Sequence, residues 1–180
     1  IDRLRIQYGT SFGYPVSVVG SHVSAVPNHQ TGRSTSLHTR GVVAMAGTFG
    51  YELDLSKMTD EEKKMAGEQI AFFKEHGRLF QFGDYYRLTS PFENRDYTVW
   101  EYAAQDGSEA CMSVVYTDMY ANAASEIVKW KGLDPKKVYQ MQIDGEDAGN
   151  FSGAALMHAG ILLPLPEQNY DAFQIYLKAE

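Results

Sequence analysis

Among 180 residues there is one cysteine, Cys111. A single thiol excludes an internal disulfide and a disulfide-stapled secreted scaffold, and it fits a reducing, cytoplasmic compartment. Long apolar runs are also lacking. None approaches the roughly 20 residues of a spanning helix, so neither a membrane partner nor a secretory leader is expected. Basic charge is scarce: 16 Lys and Arg against 23 Asp and Glu leave a net charge of -7. With no basic block, a nucleic-acid partner is not expected either. The chain has no internal repeat and no low-complexity segment.

What is present suits a packed core. Hydrophobic residues make up 44% and aromatic residues 13%, including twelve Tyr and nine Phe. That length holds one ordinary domain or two small ones. Ile1, Leu4 and Tyr8 follow helical spacing up to Gly9. No capping Ser, Thr or Asn precedes Ile1, so the first N–H groups of that helix are left unpaired, and a segment upstream is expected. Gly13-Tyr14-Pro15 then turns into Val16-Ser17-Val18-Val19, which predicts a short buried parallel strand. Leu37 to Ala46 predicts a helix. Thr59-Asp60-Glu61-Glu62 is a capping box, followed by an amphipathic run through Met65, Gln69, Ile70, Phe72 and Phe73, with Gly77 as the expected C-terminal cap.

Near residue 80 the apolar period shortens from about 3.6 to 2. Ala110, Met112, Val114 and Tyr116 alternate with their neighbours, as do Tyr139, Met141 and Ile143, and Phe173, Ile175 and Leu177. Asp106-Gly107, Gly132 to Pro135 and Asp144-Gly145 supply turns between the runs. Asp144, Glu146 and Asp147 read as a solvated acidic turn, because their spacing is wrong for a calcium loop. The fold expected is α/β up to about residue 80 and then all-β, an antiparallel sandwich.

Polar side chains crowd residues 20 to 35, "GSHVSAVPNHQTGRST". A zinc site would use His22, His29 and His38, but gaps of seven and nine do not match the usual three to five. A Ser21–His22 dyad fails because strand neighbours point to opposite faces. Two readings stay open. In parallel α/β folds, ligands bind at the carboxyl ends of strands, which would make this stretch a pocket rim. Alternatively, Asn28, Thr31, Ser34 and Ser36 satisfy loop backbone and cap the next helix, with Arg33 pairing a carboxylate for stability. Gly47-Thr48-Phe49-Gly50 lacks the lysine and spacing of a phosphate loop. Asp60, Glu61 and Glu62 favour a helix start and need no catalytic explanation. An exposed Trp100 and Trp130 would instead indicate a sugar-binding platform or assembly module, whereas aromatic residues of a sandwich are more often core.

Whole phrases of the chain resemble a known family. "IQYGTSFGYP", "GSHVSAVPNHQTGR", "HTRGVVAMAGTFGYELDL" and "QFGDYYRLTSPFE" are similar to the α-galactosidases of glycoside hydrolase family thirty-six, and "KGLDP", "SGAALMHAGILLP" and "FQIYLKAE" resemble their ends. The resemblance implies the terminal part of a (β/α)8 TIM barrel over residues 1–80 and a C-terminal antiparallel β-sandwich over 81–180. Val16 to about Ala25 would be barrel strand eight. It implies hydrolysis of terminal α-linked galactose in sugars such as melibiose and raffinose, with no cofactor and no metal. Galactosyl transfer in place of hydrolysis, or an N-acetylgalactosamine substrate, is the alternative close to the family. The whole enzyme would be a cytoplasmic homo-oligomer, commonly a tetramer. The family's nucleophile and acid/base aspartates fall upstream of Ile1, and Asp2 does not take the acid/base role. Ser21, His22, His29 and Arg33 would form a wall of the substrate pocket, and the 180-residue chain alone would be inactive.

Overall fold

The computed structural model describes residues 2–180; Ile1, which opens the helical pattern, lies outside them. Helix α1 is Asp2–Thr10, followed by a 3-10 turn at Val16–Val18. Strand β1, Val23–Ser24, leads through a polar loop to helix α2, Leu37–Ala44. Strand β2, Tyr51–Glu52, precedes α3, Asp60–Glu75, and α4, Gly77–Phe82. β1 and β2 pair in parallel, with Val23 opposite Tyr51. A parallel bridge between Gly20 and Thr48 extends the pair backwards.

Two local expectations are corrected. Val16 to Val19 is not a strand: the Val18 N–H donates to the Pro15 carbonyl and the Val19 N–H to that of Val16, both at 3.1 Å. Proline presets φ for such a turn, and Val18 is left exposed. Pairing begins only where the Thr48 N–H donates to the Val19 carbonyl and the Val23 N–H to that of Gly50. Gly77 does not cap α3 either. His76 caps the end of α3, and Gly77 opens α4. Phe72, His76 and Phe80 continue one apolar stripe along the sheet, so burial carries the chain onward where a left-handed cap would turn it away.

The capping box forms as written. The Glu62 N–H donates to Thr59 Oγ1 at 3.2 Å, and the Thr59 N–H donates to Glu62 Oε2 at 3.0 Å. Ser36 likewise caps α2, its Oγ accepting the Thr39 N–H at 3.1 Å.

Beyond α4 the chain is mostly strand: β3 (Asp84–Arg87), β4 (Tyr97–Ala103), β5 (Glu109–Tyr116), β6 (Ile127–Val128), β7 (Val138–Ile143), β8 (Glu146–Ser152), the short helix α5 (Gly153–His158), β9 (Ile161–Leu162) and β10 (Ala172–Ala179). Six strands form one antiparallel sheet in the order β3-β4-β5-β10-β7-β8, and β6 pairs with β9 in a second, small sheet. Phe173, Ile175 and Leu177 lie on the face toward that second layer, among Val99, Met112, Trp130 and Leu156. Trp100, Tyr102, Cys111 and Tyr176 point the other way, against Val42, Leu79 and Phe80 of the helices. Every residue of β4 is therefore buried. The large antiparallel sheet is the body of the C-terminal sandwich, with the helical part packed on its outer face.

The acidic turn is also corrected. Asp144 and Gly145, both with positive φ, form the tight hairpin turn, and Glu146 already belongs to β8. Asp144 is not simply solvated. Its Oδ1 accepts the Gln174 N–H at 2.8 Å and lies 3.2 Å from His38 Nε2.

Buried polar contacts cross from helices to sheet. Tyr102 Oη donates to the Ala46 carbonyl at 2.8 Å. Glu109 Oε2 sits between His76 Nδ1 at 2.9 Å and the Tyr176 hydroxyl at 2.7 Å. His38 Nε2 meets the Ala172 carbonyl at 3.1 Å, and Thr39 Oγ1 donates to that of Tyr170 at 2.7 Å. These contacts fix α2 against β10, and α2 is one wall of the cavity described next.

Candidate functional site

The end of β1 and the loop after it face a cavity of about 450 Å³. Its walls come from the start of α1, the carboxyl end of β1, the loop, the start of α2, and two residues of the sheet unit, Val115 and Tyr170. Ligand pockets favour such places, between units and at strand ends. Alternation along the strand decides which side chains reach the cavity. Ser21 and Val23 are buried, while His22 and Ser24 turn outward.

The four residues expected at a pocket wall are placed differently. His22 and Arg33 line the cavity. His22 Nε2 is 2.7 Å from Glu52 Oε2, a partner supplied by the neighbouring parallel strand. Arg33 Nη2 donates to Asp2 Oδ2 at 3.2 Å. Both pairs are substantially exposed, so they orient side chains more than they stabilise the fold. Ser21 is buried and accepts from Gln7 Nε2 at 2.9 Å, and the same amide donates to the Val43 carbonyl. Gln7 thus holds α1, the approach to β1 and α2 together. His29 is exposed in the loop and does not line the cavity.

His38 lies on the far side of α2 with Asp144, so His22, His29 and His38 do not converge. Among the described residues no three His, Cys, Asp or Glu side chains converge on a common point. Asn28 does the loop work its type suggests, its Oδ1 accepting the Gln30 and Thr31 N–H groups at 3.0 Å.

Sequence reading missed Arg40, Asp2 and Tyr170 as cavity residues. Arg40 Nη1 donates to the Ser24 carbonyl at 2.6 Å and its Nε to that of Thr35 at 3.0 Å, so it fixes the strand end. Burial lowers its pKa, but a guanidinium remains charged. Nothing in the local sequence marks Tyr170, which lies far along the chain from every other polar wall residue. Glu101 was missed too, although an acid inside the apolar run "TVWEYA" was a visible signal. Burial pushes its carboxyl up to about 8, and both oxygens accept the Lys131 N–H, at 3.2 and 3.0 Å. Perturbed carboxyls often mark active sites, but Glu101 does not line the cavity. It ties the segment after β6 to β4. Trp100 and Trp130 are buried, which removes the exposed platform that a sugar-binding module would need from them.

Two family descriptions match this chain, Melibiase over residues 1–83 and the glycosyl hydrolase family 36 C-terminal domain over residues 97–177. The chain belongs to glycosyl hydrolase family 36. Among family 36 relatives, the bifunctional α-galactosidase/sucrose kinase AgaSK of Mediterraneibacter gnavus is 51% identical over 174 residues, 97% of this chain and 18% of that protein. The α-galactosidase AgaA of Geobacillus stearothermophilus is 47% identical over 179 residues, 99% of this chain and 24% of that protein. A solved structure of an AgaA variant in complex with raffinose superposes with a TM-score of 0.92 at 47% identity, covering 99% of this chain and 24% of that one. The chain thus spans less than a quarter of the length of these curated relatives.

Proposed function

We propose that this chain is the C-terminal part of a retaining α-galactosidase that hydrolyses terminal α-linked galactose in oligosaccharides such as melibiose and raffinose. Residues 1–80 supply the end of the catalytic barrel and residues 81–180 the sandwich. The observation that carries this reading is the extent of the likeness: it runs through 97% and 99% of the chain, across both units. A resemblance confined to the sandwich would support only a binding module.

A retaining glycosidase needs two carboxyl groups about 5–5.5 Å apart, one as nucleophile and one as acid and base. We assign neither to this chain. Asp2, the acid in the cavity, is engaged with Arg33, and we place the catalytic pair in the polypeptide upstream. The role left for these residues is to wall the galactoside pocket. His22 and Arg33 offer hydrogen bonds to sugar hydroxyls, Ser21 anchors the approach to β1 through Gln7, and His29 stands on the outer loop. The enzyme is read as a cytoplasmic homotetramer. Its one cysteine, Cys111, is fully buried, and exposed apolar side chains such as Phe12, Phe82 and Leu165 offer surface for the missing barrel and for self-association.

The test compares the full-length polypeptide with the 180-residue chain alone, measuring galactose released from raffinose. The full-length protein is expected to turn over and the chain alone is not. Loss of general acid help alone costs about 10²–10⁴-fold. Comparable rates from both would place a catalytic pair inside this chain, and an inactive full-length protein would overturn the α-galactosidase reading.

A further inference from the structure

Three residues other than glycine have positive φ among those described: Asn122, Asp144 and Tyr170. Asn and Asp are common in the left-handed region because their short side chains bond locally, and Asp144 is in a tight hairpin turn. A tyrosine at φ 67° has neither reason. Such a conformation persists only where the surroundings impose it, and it collects at binding sites.

The surroundings of Tyr170 do impose it. Its carbonyl accepts from Thr39 Oγ1 at 2.7 Å, a bond from α2 in the other unit. Next to it, Asp171 Oδ2 accepts the N–H groups of Glu167 and Gln168, at 2.7 and 3.1 Å. The Asp171 carbonyl accepts the Tyr116 N–H at 2.8 Å. The backbone is thus tied to α2 at the residue itself and to β5 just after it. The side chain so fixed is half-buried and lines the same cavity as His22, Arg33, Arg40 and Asp2. One aromatic side chain among two guanidinium groups, an imidazole and a carboxylate in the lining of about 450 Å³ suits a saccharide. The ring offers an apolar, electron-rich face to sugar C–H groups, and the charged groups meet hydroxyls.

We infer that Tyr170, from the sheet unit, is a specificity-determining residue of the cavity that packs against the sugar beyond the galactosyl residue. The inference rests on the α-galactosidase reading above. Chemistry in a barrel takes place at the carboxyl ends of the strands. Tyr170 stands outside the barrel, so it reaches the part of the substrate farther from the bond that breaks. The sandwich then takes part in choosing the substrate.

The test uses the full-length enzyme and two substrates, raffinose, which has further sugars, and methyl α-galactoside, which has none. Tyr170→Ala and Tyr170→Gly are expected to lower kcat/KM for raffinose about tenfold, through KM, and to leave methyl α-galactoside within about twofold. Tyr170→Phe is expected to retain raffinose activity. The glycine variant also adopts the positive φ freely, so a fold that survives in it separates ring contact from backbone shape. Equal loss on both substrates, or no loss on either, overturns the role of Tyr170 while the wild type remains an α-galactosidase. A wild type inactive on both overturns the functional reading and this inference with it.

Discussion

Glu101 is where pH acts on this molecule through a single residue. It is fully buried, and burial raises its pKa from 4.5 to about 8. The folded state therefore favours the protonated form. Its contribution is fully present below about pH 4.5 and is lost as pH rises through about 8. Glu101→Gln keeps the shape and an acceptor for the Lys131 N–H but cannot ionise. The variant is expected to flatten the fall in stability between about pH 5 and 8, gaining on the order of 3 kcal/mol over wild type near pH 7. Urea denaturation across that range checks it, and parallel curves for the two proteins would contradict it. His38 acts in the same direction. The Asp144 hydrogen bond, partly offset by burial, raises its pKa, so its pairing also weakens as pH rises past the usual histidine range.

Helices α2 and α3 show how much an element owes to its own residues. The capping box of α3 was legible because Thr59 and Glu62 meet through backbone geometry that four consecutive residues define. Thr59→Ala is expected to cost about 1 kcal/mol in chemical denaturation, and no measurable change would mean the box is redundant with packing. The end of α3 was not legible. A glycine after an amphipathic run signals a cap, but the buried His76 beside Glu109 and Tyr176 keeps the chain on the sheet. Strand β10 shows the converse. Alternation put Phe173, Ile175 and Leu177 on one face, and they are there. Tyr176 is also buried, because a second layer covers the opposite face.

For the whole molecule, the decisive feature is the contact between helices and sheet. One apolar cluster contains Leu4, Val42, Leu79 and Phe80 from the helices with Trp100, Cys111 and Tyr176 from the sheet. The Tyr102 hydroxyl to Ala46 carbonyl bond runs through this layer. Tyr102→Phe leaves that carbonyl unpaired and is expected to cost about 1–3 kcal/mol. Hydrogen exchange should show the end of α2 and strand β4 loosening together, and loosening confined to β4 would mean that the two units are energetically separate.

The sequence by itself determined what depends on neighbours along the chain: the change of period near residue 80, the capping box, the alternating strands, and the phrases that mark family 36. These need only backbone geometry and the two apolar periods. Tertiary structure decided what depends on distant partners. It gave His22 the carboxylate of Glu52 and Arg33 that of Asp2, and it brought Tyr170 to the same cavity. Those contacts join segments remote in sequence, and no local pattern records which face of a buried strand another layer will cover.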